Sequence, residues 1–161
     1  MTADDLTLLE RRKIEGKVLI PMVQAFQRAI GKERANEIAR EVILEFARAS
    51  GVGWSGQFGN GLAGLEQVVD VWSAGGSLEF AERKRSSDSL SFNVTRCQYA
   101  EFYQSLGLSE LGFLFHCNRD FAVLETFSPD VSLTRTQTIM QGASHCDFRF
   151  QQRNQPAAEA T

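Results

Sequence analysis

At 161 residues the chain has the length of one domain, long enough to bury a core without a disulfide or a structural metal as a staple. With 43% hydrophobic and 23% charged residues and a net charge of -3, it has no excess of Lys and Arg for neutralising phosphates, which argues against a nucleic-acid partner. No run approaches the roughly 18 to 20 apolar residues of a membrane span, and Asp4 and Asp5 stand where a signal peptide would be basic, so a cytoplasmic protein without a membrane partner is expected.

The order Thr2-Ala3-Asp4-Asp5 reads as a helix start, with Thr2 as N-cap and Asp5 in a capping-box-like position. Ile14, Val18, Leu19, Met22, Val23, Phe26 and Ile30 then keep a helical spacing until Gly31, with Pro21 placed to kink or split the segment. Ala35, Ile38, Ala39, Val42, Ile43 and Phe46 mark a second helix, expected to end near Ser50 or Gly51. From Gly51 to Gly64 six glycines surround Trp54 and Phe58, without the Gly-Lys-Ser/Thr ending of a phosphate loop. This stretch reads as a flexible connection, with a lid that lays Trp54 or Phe58 over a ligand as the functional alternative. Leu65, Val68, Val69 and Trp72 give a third helix, stopped by Gly75 and Gly76.

Beyond it the hydrophobic period changes to two. Ser77 to Arg83 and Ser89 to Thr95 read as strands of an antiparallel hairpin turned at Ser86-Ser87-Asp88. Tyr99 to Leu106 reads as a helix, and Phe113, Leu114, Cys117, Phe121 and Leu124 suggest another from Leu111 to Leu124. Val131 to Met140 and His145 to Gln151 read as two more strands joined by a turn around Gly142. The expected fold is α+β, one domain over residues 1–151, with an antiparallel sheet of about four strands packed against N-terminal and central helices. A tail over 152–161 is expected to be disordered.

Three cysteines in a chain that needs no covalent staple point to free thiols in a reducing compartment. On a regular helix, positions 113, 117, 120 and 124 share one face, which puts Asp120 on an apolar stripe with Cys117. A carboxylate there must be paired, ligated or protonated, so Asp120 either pairs with an arginine such as Arg96 or Arg135 or serves as a base or ligand beside Cys117. The only two histidines, His116 and His145, each precede a cysteine, Cys117 and Cys146. Across the fold, His145 against Cys117, or Cys146 with Cys117 and Asp120, gives a nucleophile with a base or part of a metal shell. There is no CxxC or HExxH spacing, and a packed, inert thiol is the alternative for each cysteine.

The strings N-V-T-R-C-Q-Y-A-E-F-Y, E-L-G-F-L-F-H-C-N-R-D-F-A and L-T-R-T-Q-T-I-M-Q-G-A-S-H-C-D-F-R-F, between Asn93 and Phe150, resemble the L-2-amino-thiazoline-4-carboxylic acid hydrolase family. The residues that carry the likeness include Arg96, Cys97, Tyr99, Glu101, Gly112, Cys117, Asp120, Arg135, Thr136, Gly142, Cys146, Asp147 and Phe148. The closing G-A-S-H-C-D-F-R-F also resembles the end of 4-vinyl-reductase-type small-molecule-binding domains, whose α/β fold is shared with vesicle-tethering subunits.

The resemblance implies a hydrolase that adds water to the amidine-like carbon of a small nitrogen-containing ring and breaks the carbon-sulfur bond, giving an N-carbamoyl-cysteine-like product. Such chemistry needs a clamp for the substrate carboxylate, a nucleophile and an acid for the leaving thiolate. On this reading Cys117, Asp120, His145 and Cys146 are the expected catalytic residues, and Arg96, Arg135 and Tyr99 bind the substrate. No cofactor is expected; a zinc held by Cys117, Asp120 and Cys146 is the alternative means of activating water. A binding or sensory domain that uses the same pocket without turnover is the second reading, and a metal-binding or partner-interaction module the third. The expected partner is the small-molecule substrate, with a homo-oligomer open through the apolar N-terminal helices.

Overall fold

The computed structural model describes residues 6–153. Helix α1 spans Leu8–Ile30 behind a capping box in which the Thr7 hydroxyl accepts the Glu10 N–H and the Glu10 carboxylate accepts the Thr7 N–H at 2.7 Å. The box expected at Thr2 and Asp5 lies outside the described residues. Pro21 stays within α1 without splitting it, and Gly31, at φ 88°, turns the chain into α2, Lys32–Phe58.

Helix α2 thus runs through Gly51 and Trp54, so the expected flexible connection over 51–64 is corrected to a short link over residues 59–61. The reason is packing. A Cβ at Gly51 would meet the Thr126 hydroxyl and the Val123 carbonyl oxygen, so this glycine lets α2 lie directly against the helix that carries those residues. Tertiary contact here outweighs the low helix propensity of glycine.

Helix α3, Leu62–Ser73, buries Leu65, Val68, Val69 and Trp72. The hairpin follows as β1, Leu78–Arg85, and β2, Ser89–Cys97. Next come α4, Gln98–Ser105, and α5, Ser109–Gly112, which runs into a π turn over Phe113–Cys117 and then α6, Arg119–Phe127. The last strands are β3, Val131–Thr134, and β4, Cys146–Gln152. The strand expected to reach Met140 therefore stops at Thr134, and residues 139–141 form a short 3-10 turn. Gln152, expected in the tail, ends β4; residues 154–161 lie outside the described part.

The four strands make one antiparallel sheet in the order β1-β2-β4-β3. Period two puts Leu90, Phe92 and Val94 of β2 on the same face as Cys146, Phe148 and Phe150 of β4, and register pairs Phe92 with Phe148. Their rings stack at 5.1 Å between centroids. This face joins α3 and α6 in one core, while Tyr103, Phe115, Met140 and the inner side of α1 form a second. Among the described residues no helix is long and apolar enough to cross a membrane.

Candidate active site

Where the two cores meet, the structure leaves a cavity of about 100 Å³. Its walls come from the start of α1, the far part of α2, the end of β2, the π turn, the first turn of α6 and the start of β4. That is room for a few waters or one small molecule, well below the several hundred Å³ of a drug-sized site.

The π turn decides which side chains face inward. It inserts an extra residue into the helical path, so His116 and Cys117 on one side of Asn118 and Arg119 and Asp120 on the other all reach the cavity. The regular face expected from spacing is corrected accordingly: Phe113 borders a separate hollow with Phe121, and Leu124 packs into the sheet-side core. Cys117 and Asp120 remain together.

Asp120 is largely buried against Arg135, whose Nη1 donates to its carboxylate while Nη2 donates to the Cys117 carbonyl oxygen at 2.9 Å. The Arg135 guanidinium carbon lies 5.1 Å from the Phe121 ring centre and 5.4 Å from that of Phe148. Its Nε is the one buried side-chain nitrogen or oxygen among the described residues left without a partner. Arg135 is aimed by the chain that follows it, because the Asp147 carboxylate accepts the Thr136 N–H and hydroxyl and the Gln137 N–H at 2.6–2.9 Å. Desolvation pushes the Asp120 carboxyl up to about 6, against the lowering pull of Arg135.

All three cysteines, Cys97, Cys117 and Cys146, line the cavity. Burial raises each thiol, Cys97 to about 11 and Cys117 further, with the Asp120 charge adding to the effect on Cys117. The Cys97 sulfur accepts the Ala100 N–H as cap of α4, and the Cys146 sulfur accepts the Ile139 N–H at 3.2 Å. At neutral pH they rest as thiols. Among the described residues no three His, Cys, Asp or Glu side chains converge as metal ligands.

Tyr99 lines the cavity and donates its hydroxyl to the Trp72 carbonyl at 3.0 Å. Two expected residues are elsewhere. Arg96 is half-exposed and held by Glu101 and Glu79 outside the cavity: unbroken alternation would place it on the face of Val94, but a β-bulge at Thr95, where Phe80 pairs with Val94 and the adjacent Glu79 pairs with Arg96, turns its side chain to solvent. His145 does not line the cavity either; its Nδ1 sits 2.9 Å from Ser144 Oγ and 3.2 Å from Gln137 Nε2.

Three other residues lie outside the set expected from sequence to bind or act on substrate. His116 Nε2 lies 3.1 Å from the Tyr103 hydroxyl, and burial with Arg119 and Arg12 nearby pulls its pKa well below the usual histidine value, so the ring is neutral. Arg12 and Arg119 both line the cavity and share one carboxylate oxygen of Glu15, at 2.7 and 3.7 Å. Both are largely buried, and desolvation together with Arg12 lowers Arg119 to about 10. A wall with two cations and one shared carboxylate is suited to an anionic ligand. Trp54 also lines the cavity, from helix α2 rather than from a mobile lid.

No curated protein matches this chain. The family model of L-2-amino-thiazoline-4-carboxylic acid hydrolase matches residues 11–150, which include every cavity residue described above.

Proposed function

The chain belongs to the L-2-amino-thiazoline-4-carboxylic acid hydrolase family, and from that membership and the contents of the cavity we propose that it opens a small cyclic amidine carboxylate by hydrolysis. The observation that carries the reading is Asp120: a carboxyl held near pH 6 inside a small, largely apolar cavity, beside a thiol and an arginine. A group poised near the working pH is suited to move protons in both directions during one turnover.

In the reaction, the oxygen of water forms a bond to the amidine carbon and the carbon-sulfur bond breaks. One water proton ends on the ring nitrogen and the other on the departing sulfur, giving N-carbamoyl-cysteine from 2-amino-thiazoline-4-carboxylate. Asp120 takes the proton from the attacking group and returns it to the leaving thiolate. Because burial keeps Cys117 a thiol, a covalent route requires Asp120 to remove its proton as the bond forms, and a direct route requires the same of water. Either way Asp120 is the acid and base.

Arg12 and Arg119 bind the substrate carboxylate in place of Arg96, and Arg135 offers its unpaired Nε–H to a substrate acceptor. Tyr99 and Trp54 pack the ring. The experiment is incubation of the protein with L-2-amino-thiazoline-4-carboxylate while following N-carbamoyl-cysteine by mass spectrometry, in wild type and Cys117→Ala. Loss of product in the variant establishes the covalent route, product in both establishes direct attack by water, and bound but unchanged substrate in the wild type reduces the site to a binding pocket.

A further inference from the structure

Helix α1 buries one side, through Leu9, Gly16, Ile20 and Val23, yet its other side is also apolar. Ile14, Val18, Met22 and Phe26 stand in water there, and Ile38, Val42 and Phe46 do the same along α2. Val18 is 60% exposed and Phe46 63%, values that charged residues normally hold on the outer face of a surface helix. The two helices are consecutive, joined at Gly31 and tied by a 2.7 Å bond from Gln27 to Asn36.

The charges bordering these stripes differ in sign. Lys17 and Arg28 edge the apolar side of α1, whereas Glu41 and Glu45 edge that of α2. Among the described residues none of these four forms an ion pair, although Arg34–Glu37 and Arg48–Glu125 on the same hairpin do.

We propose that this face is a dimer interface covered by a second copy of the chain, α1 of each copy lying on α2 of the other so that Lys17 and Arg28 meet Glu41 and Glu45. One copy carries both a basic-edged and an acidic-edged apolar stripe, so the surface that matches both is its own, related by a two-fold axis. Half-exposed side chains of this number and size offer on the order of 700 Å² per copy, close to the roughly 800 Å² each partner gives to a stable interface. Arg12 lies on the buried side of α1, one turn before Gly16, so the dimer leaves the cavity wall untouched. The inference does not depend on the reaction assigned to the cavity.

Sedimentation equilibrium of the full chain tests it. The expected mass is twice 17.9 kDa. Val18→Asp and Phe46→Asp should each give the single-chain mass with an unchanged far-ultraviolet spectrum, since both side chains face water within one copy, and a melting temperature that no longer rises with protein concentration as the wild type's does. Lys17→Glu should weaken the dimer about tenfold, and Lys17→Glu with Glu45→Lys should restore it. A wild-type chain that stays at 17.9 kDa through the micromolar range, or a dimer that survives both aspartate variants, overturns the proposal.

Discussion

Arg135 donates from one guanidinium nitrogen to the largely buried Asp120 carboxylate and from another to the Cys117 carbonyl oxygen, so a single side chain holds the acid and the thiol in register. The arginine side chain is 4% exposed. Its replacement removes the cation that holds the Asp120 carboxylate directly, and losing one partner of a largely buried pair costs up to about 3 kcal/mol. Arg135→Met should therefore lower the unfolding free energy read from urea denaturation by an amount of that order. Adding Asp120→Asn to it should recover part of the loss, because the stranded carboxylate is gone.

The Asp120 carboxyl titrates near 6 in the folded chain against 3.8 as an ordinary aspartate. Its folded value is raised, so its contribution to stability is complete below about pH 4 and is lost as pH rises through about 6. Asp120→Asn removes that dependence: unfolding curves between pH 4 and 7 should show wild type losing stability relative to the variant as pH increases. Turnover should run the other way. The base is the ionised form, so the rate should fall as pH drops below about 6.

Gly51 and Gly53 both lie in α2 but should respond oppositely to alanine. At Gly51 the new methyl meets Thr126 and the Val123 backbone, where α2 and α6 touch, and overpacking of this kind costs roughly 1–3 kcal/mol. At Gly53 nothing lies within 4 Å, so alanine should stabilise the helix by up to about 1 kcal/mol. Melting temperatures of the two variants separate these outcomes.

The same glycine shows why part of the structure escaped the sequence. Its role is set by residues more than seventy positions away, whereas a one-dimensional reading sees only a glycine cluster beside Trp54 and infers a loop. Where patterning was local it was enough: the alternation of Leu90, Phe92 and Val94, the Ser86–Asp88 turn and the β4 strand all stand where periodicity put them. The acidic residue on an apolar face, Asp120, was also legible, because an isolated charge among hydrophobic neighbours is conspicuous. The choice between the two histidines was not. His116 enters the cavity through a π turn that no residue in Phe113–Cys117 announces, and His145 is left outside. Arg12 and Arg119 likewise meet only through the approach of α1 to α6. Their shared Glu15 lies three positions from Arg12, a spacing that by itself reads as an ordinary surface pair.

Arg12 and Arg119 should act on substrate affinity. Charge-assisted hydrogen bonds are worth about 1.5–3 kcal/mol, so Arg119→Gln or Arg12→Gln should raise KM for a carboxylate substrate roughly 10- to 100-fold with a smaller change in kcat. The analogue 2-amino-thiazoline, which lacks the carboxylate, should lose little between wild type and either variant. Arg96→Gln, which alters only exposed ion pairs, should leave KM near the wild-type value.

The most direct test of the account is to compare wild type and Asp120→Asn for conversion of L-2-amino-thiazoline-4-carboxylate to N-carbamoyl-cysteine, with substrate binding measured calorimetrically on the same preparations. The account predicts product from the wild type and a loss of roughly 10²- to 10⁴-fold in kcat for the variant, with binding retained. Equal turnover by the two proteins would contradict the assignment of Asp120. No product from a wild type that binds the substrate would contradict hydrolysis itself.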